Sequence, residues 1–304
     1  MVDRSSFDLD ARKTGGTVLP GTRTGGASTI RPRPAPSPDR VCEASGTNTI
    51  QSFVDAGAHA SLVIAHPGHE LRIYGWLERV RPTVFILTDG SGRTGRSRIR
   101  ATSQILQQAG ATRGSIYGAL SDQDLYAAII RHEHGRFLSL AEQLAEALSD
   151  AAIDYVVGDA REGYNPGHDV CRLLIDTAVA LARRNGGPLG NFAFKLTGSP
   201  APLPGTPAGE VLRFDQPTLA RKIAAGRGYA ELADEVEEAL HAFGREAFRN
   251  EHLPPAETMP ADVAPERPFY EQHGERQVAA RHYPEVLRYE EHMRPLMAAL
   301  GGVR

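Results

Sequence analysis

Along the chain, short unbroken apolar runs alternate with stretches whose apolar residues recur at helical spacing. Residues 61–65 (SLVIA) and 83–88 (TVFILT) are almost wholly apolar, the pattern of strands covered on both faces in a parallel sheet. Residues 153–157 (IDYVV) give a further strand, and 115–117 (SIY) a short one. Between them, Leu71, Tyr74, Leu77 and Val80 fall on one face of a helix over 70–80. Further helices are expected over 97–109, over 124–148 with an interruption near Gly135, and over 168–184. In the last of these, Val170, Leu173, Leu174, Thr177, Ala178 and Leu181 form the apolar stripe. This rhythm predicts an α/β fold with right-handed crossovers and a mostly parallel sheet.

Beyond residue 197 the pattern changes. A Pro-rich connector over 198–209 leads to helical stretches at 217–225 and 228–249, then a loop over 254–265. A tail over 268–300 is dense in aromatic and charged residues, among them Tyr270, Glu271, His273, Glu275, Tyr283, Tyr289 and His292. We read 48–197 as the core and 198–304 as a helical extension that completes the domain. Residues 1–47 differ from both. They are rich in Gly, Ser, Thr, Pro and Arg, a composition that buries too little apolar area to offset ordering entropy, so a disordered or low-complexity tail is expected.

The chain of 304 residues is 41% hydrophobic and 23% charged, enough for a sizeable core. A net charge of −3 gives no basic field for nucleic acid. No apolar run approaches the ~20 residues of a membrane helix, and no signal-peptide core is present. With Cys42 and Cys171 as its two cysteines, far apart in sequence, the simplest reading is a reducing, cytoplasmic setting. A small-molecule substrate is expected, and a homo-oligomer stays open.

In open parallel sheets ligands sit beyond the carboxyl ends of the strands. Three polar clusters fall at such ends: His66-Pro67-Gly68-His69-Glu70, Asp89-Gly90-Ser91-Gly92, and residues 159–169 (DAREGYNPGHD). His66, His69 and His168 lie in two of these loops and can converge on one metal, Zn²⁺ or another transition ion such as Fe²⁺. His132 and His134, two apart on a helix, do not share a face and read as surface residues. Arg93, Arg96, Arg98 and Arg100 read as a solvated face, with attraction of an anionic substrate as the alternative.

At these motifs, over about residues 61–184, the sequence resembles the PIG-L/LmbE-like family of zinc-dependent deacetylases. The family's A-H-P-D-D-E, T-D-G and H-P-D-H stretches correspond to Ala65-His66-Pro67-Gly68-His69-Glu70, Thr88-Asp89-Gly90 and Asn165-Pro166-Gly167-His168. The resemblance implies a Rossmann-like sheet, one zinc held by His66, His69 (for Asp) and His168, and hydrolysis of an N-acetyl group on a sugar-like substrate. It also exposes departures. The family's general base falls at Gly68, its auxiliary acid at Asn165, and the Asp supporting that acid at Gly167. Glu70 and Asp89 are therefore expected to carry catalysis, Glu70 first because of its tether to His69. Glu162, Tyr164 and Asn165 are expected at the substrate. The competing readings are a metalloenzyme of other chemistry (a lyase, isomerase or iron-dependent oxidase) and a non-catalytic small-molecule-binding protein.

Overall fold

The computed structural model describes residues 49–256 and 267–302. The expected tail, 1–47, lies outside the described residues, as does most of the loop at 254–265. Helix α1 (Ile50–Asp55) precedes strand β1 (Ala60–Ile64), and a 3-10 turn (His69–Ile73) leads into α2 (Tyr74–Val80). There follow β2 (Thr83–Thr88), α3 (Ile99–Ala109), β3 (Thr112–Leu120), α4 (Asp122–Ile130) and α5 (His134–Asp150). Strand β4 (Tyr155–Asp159), α6 (Pro166–Gly186) and β5 (Gly190–Phe194) complete the sheet. Its strand order is β3-β2-β1-β4-β5 and every pairing is parallel, a Rossmann-like α/β fold.

The apolar runs have a direct cause. Successive strand residues point to opposite faces, and both faces are covered. Leu62, Ile64, Val84 and Ile86 pack in one layer with Trp76, Leu77 and Ile105 from α2 and α3. Val63, Ala65, Phe85 and Leu87 pack in the other with Leu144 of α5 and Leu174 of α6. Each large side chain buried in this way contributes about 1.5–3 kcal/mol.

The C-terminal extension contains β6 (Val211–Arg213), α7 (Gln216–Gly228), α8 (Ala233–Phe243), β7 (Asn250–His252), α9 (Phe269–Ala279), a π turn (Tyr289–Met293) and α10 (Arg294–Gly301). Strands β6 and β7 form an antiparallel pair. A buried ion pair ties this region to the sheet layer. Lys222 Nζ of α7 donates to Glu251 Oε1 at 2.6 Å, and the two Glu251 oxygens also accept from the backbone N–H groups of Gly75 and Trp76. Glu251 thus satisfies donors at the start of α2 that have no intrahelical partner, and it sets α7 beside the strand ends.

Several elements differ from the sequence expectation. β3 runs for nine residues rather than three, with register shifts against β2 that place Gly118 at φ +69. The long helix over 124–148 is two helices. They part at His132, whose φ is +53, rather than at Gly135, which is helical. β5 and the β6–β7 pair were not anticipated, being short and rich in Gly, Asn, Arg or His. The stretch 228–249 is helical in α8, flanked by 3-10 turns.

Candidate metal centre and cleft

The sheet order reverses direction between β1 and β4, and the crevice beyond their carboxyl ends is the switch point where such sheets bind ligands. His66 and His69 follow β1, Asp159 ends β4, and His168 lies in the first turn of α6. Asn165 caps that helix. Its Oδ1 accepts from the Gly167 N–H at 2.7 Å, and Pro166 enters at the first helical position. The capped turn delivers His168 to the other two imidazoles. Ring centres are 5.3 Å apart for His66–His69, 5.3 Å for His66–His168 and 4.6 Å for His69–His168.

Two carboxylates orient the rings. Asp122 Oδ1 lies 2.9 Å from His66 Nδ1, which also meets Thr88 Oγ1 at 2.7 Å. Asp159 Oδ2 lies 2.9 Å from His69 Nδ1 and also accepts from the Ala65 N–H at 2.7 Å. An ionised carboxylate only accepts, so each Nδ1 carries the proton and each Nε2 presents a lone pair. Burial alone would push the Asp122 carboxyl up. The His66 ring beside it, with bonds from Thr88 and the Gly92 N–H, instead holds it well below the usual carboxylate range. Neither Asp122 nor Asp159 was singled out from the sequence. The signal available was position, since each stands at or just beyond a strand end.

His168 is 3% exposed, and both of its ring nitrogens are buried without a hydrogen bond. Burial pushes its pKa well below the usual histidine value, and the neighbouring His69, His66 and Arg98 push it the same way. Asp159 Oδ1 is likewise buried without a bond. Such orphaned atoms cost about 1–3 kcal/mol each, more where charged, and call for a partner. As the side chains stand, no group of three or more His, Cys, Asp or Glu among the described residues is set to hold a metal ion. His66 and His69 are held by their carboxylates, whereas the direction of the His168 nitrogens turns with χ2, a broad torsion. Three imidazoles around a tetrahedral ion with bonds of about 2.0–2.1 Å hold their ring centres about 5 Å apart. The ring spacing fits that arrangement.

No protein-family model matches the sequence, and no curated protein matches it. Among solved structures, the conserved protein TT1542 from Thermus thermophilus aligns with a TM-score of 0.47 at 19% identity, over 68% of this chain and 98% of its own. The A40926 pseudoaglycone deacetylase Dbv21 aligns at 0.39 and 17%, covering 65% of this chain and 96% of its own. A triple mutant of a deacetylase involved in the teicoplanin biosynthetic pathway aligns at 0.40 and 12%, covering 65% and 97%. The functional reading therefore rests on the residues of the site.

A cleft of about 150 Å³ opens from His69 and His168. Pro67, Gly68, Arg72, Arg98, Tyr164 and Thr197 line its near side, and apolar residues from α7 and α8 its far side. Of the residues expected at the substrate, Tyr164 lines the cleft, with its ring stacked on Phe269 at 4.8 Å. Arg98, expected on a solvated face, is buried; it lines the cleft, and its Nε donates to Gly90 O at 2.8 Å. The expected catalytic carboxylates do not line it. Glu70 is fully buried, accepting from the Gly68 N–H and from Thr102 Oγ1, each at 2.7 Å. Burial raises its pKa, while the bonds from Thr102 and Gly68 pull the other way. Asp89 Oδ1 accepts from the Ser91 N–H at 2.9 Å and shapes a turn. Glu162 accepts from the N–H groups of Leu196 and Thr197 and from Thr197 Oγ1, pinning the segment after β5.

Gly68 has φ +106, and a Cβ built on it would lie 2.4 Å from Leu232 Cδ1. An apolar side chain from the extension therefore occupies the place where the resemblance puts a carboxylate. The tail over 268–300 reaches the cleft indirectly, through the stack of Phe269 on Tyr164.

Proposed function

We propose that the protein is a hydrolase of N-acyl small molecules in which His66, His69 and His168 hold one divalent transition ion, zinc by preference. The observation that carries this is His168, a neutral and buried imidazole with both nitrogens unbonded, set beside two imidazoles whose Nδ1 atoms are held by carboxylates. Three neutral nitrogen ligands with an open position suit Zn²⁺, and Fe²⁺ is the alternative. A divalent ion there would supply Lewis acidity, polarising a carbonyl and lowering the pKa of water.

The protein's own groups supply the rest. Asp122 and Asp159 fix the tautomers of His66 and His69. In hydrolysis the amide C–N bond breaks, a C–O bond forms from water, and one proton of that water ends on the leaving amine. With Gly68 unable to take that proton, the cleft-lining carboxylate is Glu235 of α8, and we assign it the transfer. Tyr164, over the mouth of the His168 loop, bears on the substrate. Asn165 acts by capping α6 and so placing His168.

The test is metal content with activity. Elemental analysis of protein loaded with Zn²⁺ and desalted is expected to give about one ion per chain, with loss in His168→Ala and in the double variant His66→Ala/His168→Ala. Loaded wild type is expected to release a carboxylic acid from an N-acyl 4-nitroanilide, and Glu235→Gln to reduce the rate. Full metal occupancy in the double variant would end the proposal.

A further inference from the structure

The polar groups lining the cleft are largely committed to the protein itself. Arg72 donates through Nε to Lys195 O and through Nη2 to Gly198 O, both at 3.0 Å. Lys222 is spent on Glu251 and on Arg72 O, and Thr197 Oγ1 donates to Glu162. Reading a polyhydroxylated sugar needs many uncommitted donors and acceptors converging on one space, because a buried hydroxyl left unmatched is costly. The far wall is of the opposite character. Ile223 of α7, Leu232, and Val236, Ala239 and Leu240 of α8 line it with Phe248 beyond them. Leu232 reaches over Gly68 at the histidine end, and from there to α8 the wall is apolar except for Glu235.

We infer that this wall receives the acyl part of the substrate and that this part is an aliphatic chain of medium length, well beyond acetyl. The inference rests on the hydrolase reading for its orientation: a carbonyl at His69 and His168 directs its alkyl chain along the α7–α8 wall. The chain-length preference is a property of the wall itself, so it is read by binding as well as by turnover.

Isothermal titration of the full-length protein with acetate, butyrate, hexanoate and octanoate is the direct test, since these are the acids such a hydrolysis would release. Octanoate is expected to bind one per chain. Affinity should rise about three- to fourfold for each methylene buried, up to about 10³-fold from acetate to octanoate. Val236→Asn and Leu240→Asn place amides on two half-buried wall positions and are expected to weaken octanoate at least tenfold. Should either variant fold poorly, the wild-type series still decides. Octanoate binding no tighter than acetate, or unaltered by both folded variants, would overturn the inference. In parallel, N-acetyl and N-octanoyl 4-nitroanilides are compared with the Zn²⁺-loaded protein. Chain-length-dependent binding with turnover of neither substrate retires the hydrolase reading and keeps the pocket. Turnover of the acetyl substrate with no chain-length dependence does the reverse.

Discussion

Replacing Gly68 by Asp restores the carboxylate that the resemblance leads one to expect, and the structure sets the energetic consequence. The backbone there has φ +106, a region that costs a non-glycine residue of order 1–3 kcal/mol, with Asp among the better tolerated. The new Cβ would lie 2.4 Å from Leu232 Cδ1, where ordinary carbon contacts begin at about 3.5 Å. Leu232 is only partly buried and can swing outward, losing its packing over the cleft. The expected loss for Gly68→Asp is about 2–4 kcal/mol, strain and overlap together. Leu232→Ala removes both atoms that the new Cβ would meet within 4 Å on that side chain. In the double variant the overlap share returns, as a coupling of about 1–2 kcal/mol between the two sites. Urea unfolding of wild type, both single variants and the double variant closes the cycle. Turnover of an N-acyl 4-nitroanilide by the Zn²⁺-loaded double variant is expected to rise, up to the ~10²–10⁴-fold that a placed general base contributes. Strict additivity in stability would refute the claim that Leu232 fills the place of the carboxylate. Coupling without any gain in rate would refute the placement of position 68 beside the reacting carbonyl.

Three other outcomes are expected. Glu70→Gln should cost about 1–2 kcal/mol in urea unfolding, because the carboxylate holds the Gly68 N–H and Thr102 Oγ1, yet change turnover less than tenfold; a hundredfold fall in kcat at unchanged stability would return Glu70 to the chemistry. Asp122→Asn should weaken Zn²⁺ about 10- to 100-fold in chelator competition by releasing the His66 tautomer, with the fold intact by circular dichroism, and an unchanged affinity would show that the carboxylate does not orient a ligand. At high pH, burial pushes the Tyr155 phenol up to about 12, against its ordinary 10. Between those values the folded state holds a proton that the unfolded state has lost, so stability falls as pH rises through that window, and Tyr155→Phe should flatten the fall measured by denaturant unfolding at pH 9 to 12.

How much was legible in the sequence depended on how strongly each feature was stamped locally. β1 and β2 were readable because both faces are buried, which forces unbroken apolar runs, and the helix after His168 because its stripe repeats over about three turns. β5 was not, since Gly190 and Asn191 dilute its apolar signal and its burial is supplied by Phe53, Arg172 and the segment near Pro255. The three histidines could be grouped from the sequence because they fall in the loops that follow two apolar runs, β1 and β4. Their orienting carboxylates were not, because Asp122 is 56 residues from His66 and Asp159 is 90 from His69, and only the order of the strands brings them together. The same reason accounts for Glu70 and Glu162. Proximity in sequence to a histidine placed them in the candidate list, while their partners Thr102 and Thr197 come from elsewhere in the fold.

The departures from the family motifs form one connected change in the structure. A Cβ at position 167 would stand 2.8 Å from His66 Nε2, so the ring as placed leaves no room for the side chain that the motif carries there. At position 165 the shorter Asn turns its carbonyl back onto the Gly167 N–H and serves the helix. At position 68 the vacated space belongs to Leu232. The two glycines place no side chain beside the imidazoles, and the imidazoles themselves are buried. His168 and Asp159 Oδ1 carry orphaned buried atoms at a cost in stability, beside a largely apolar wall. A cation site facing a non-polar substrate group, as proposed above, would account for both facts together, which is why the chain-length series and the metal analysis are the pair of experiments on which this reading stands.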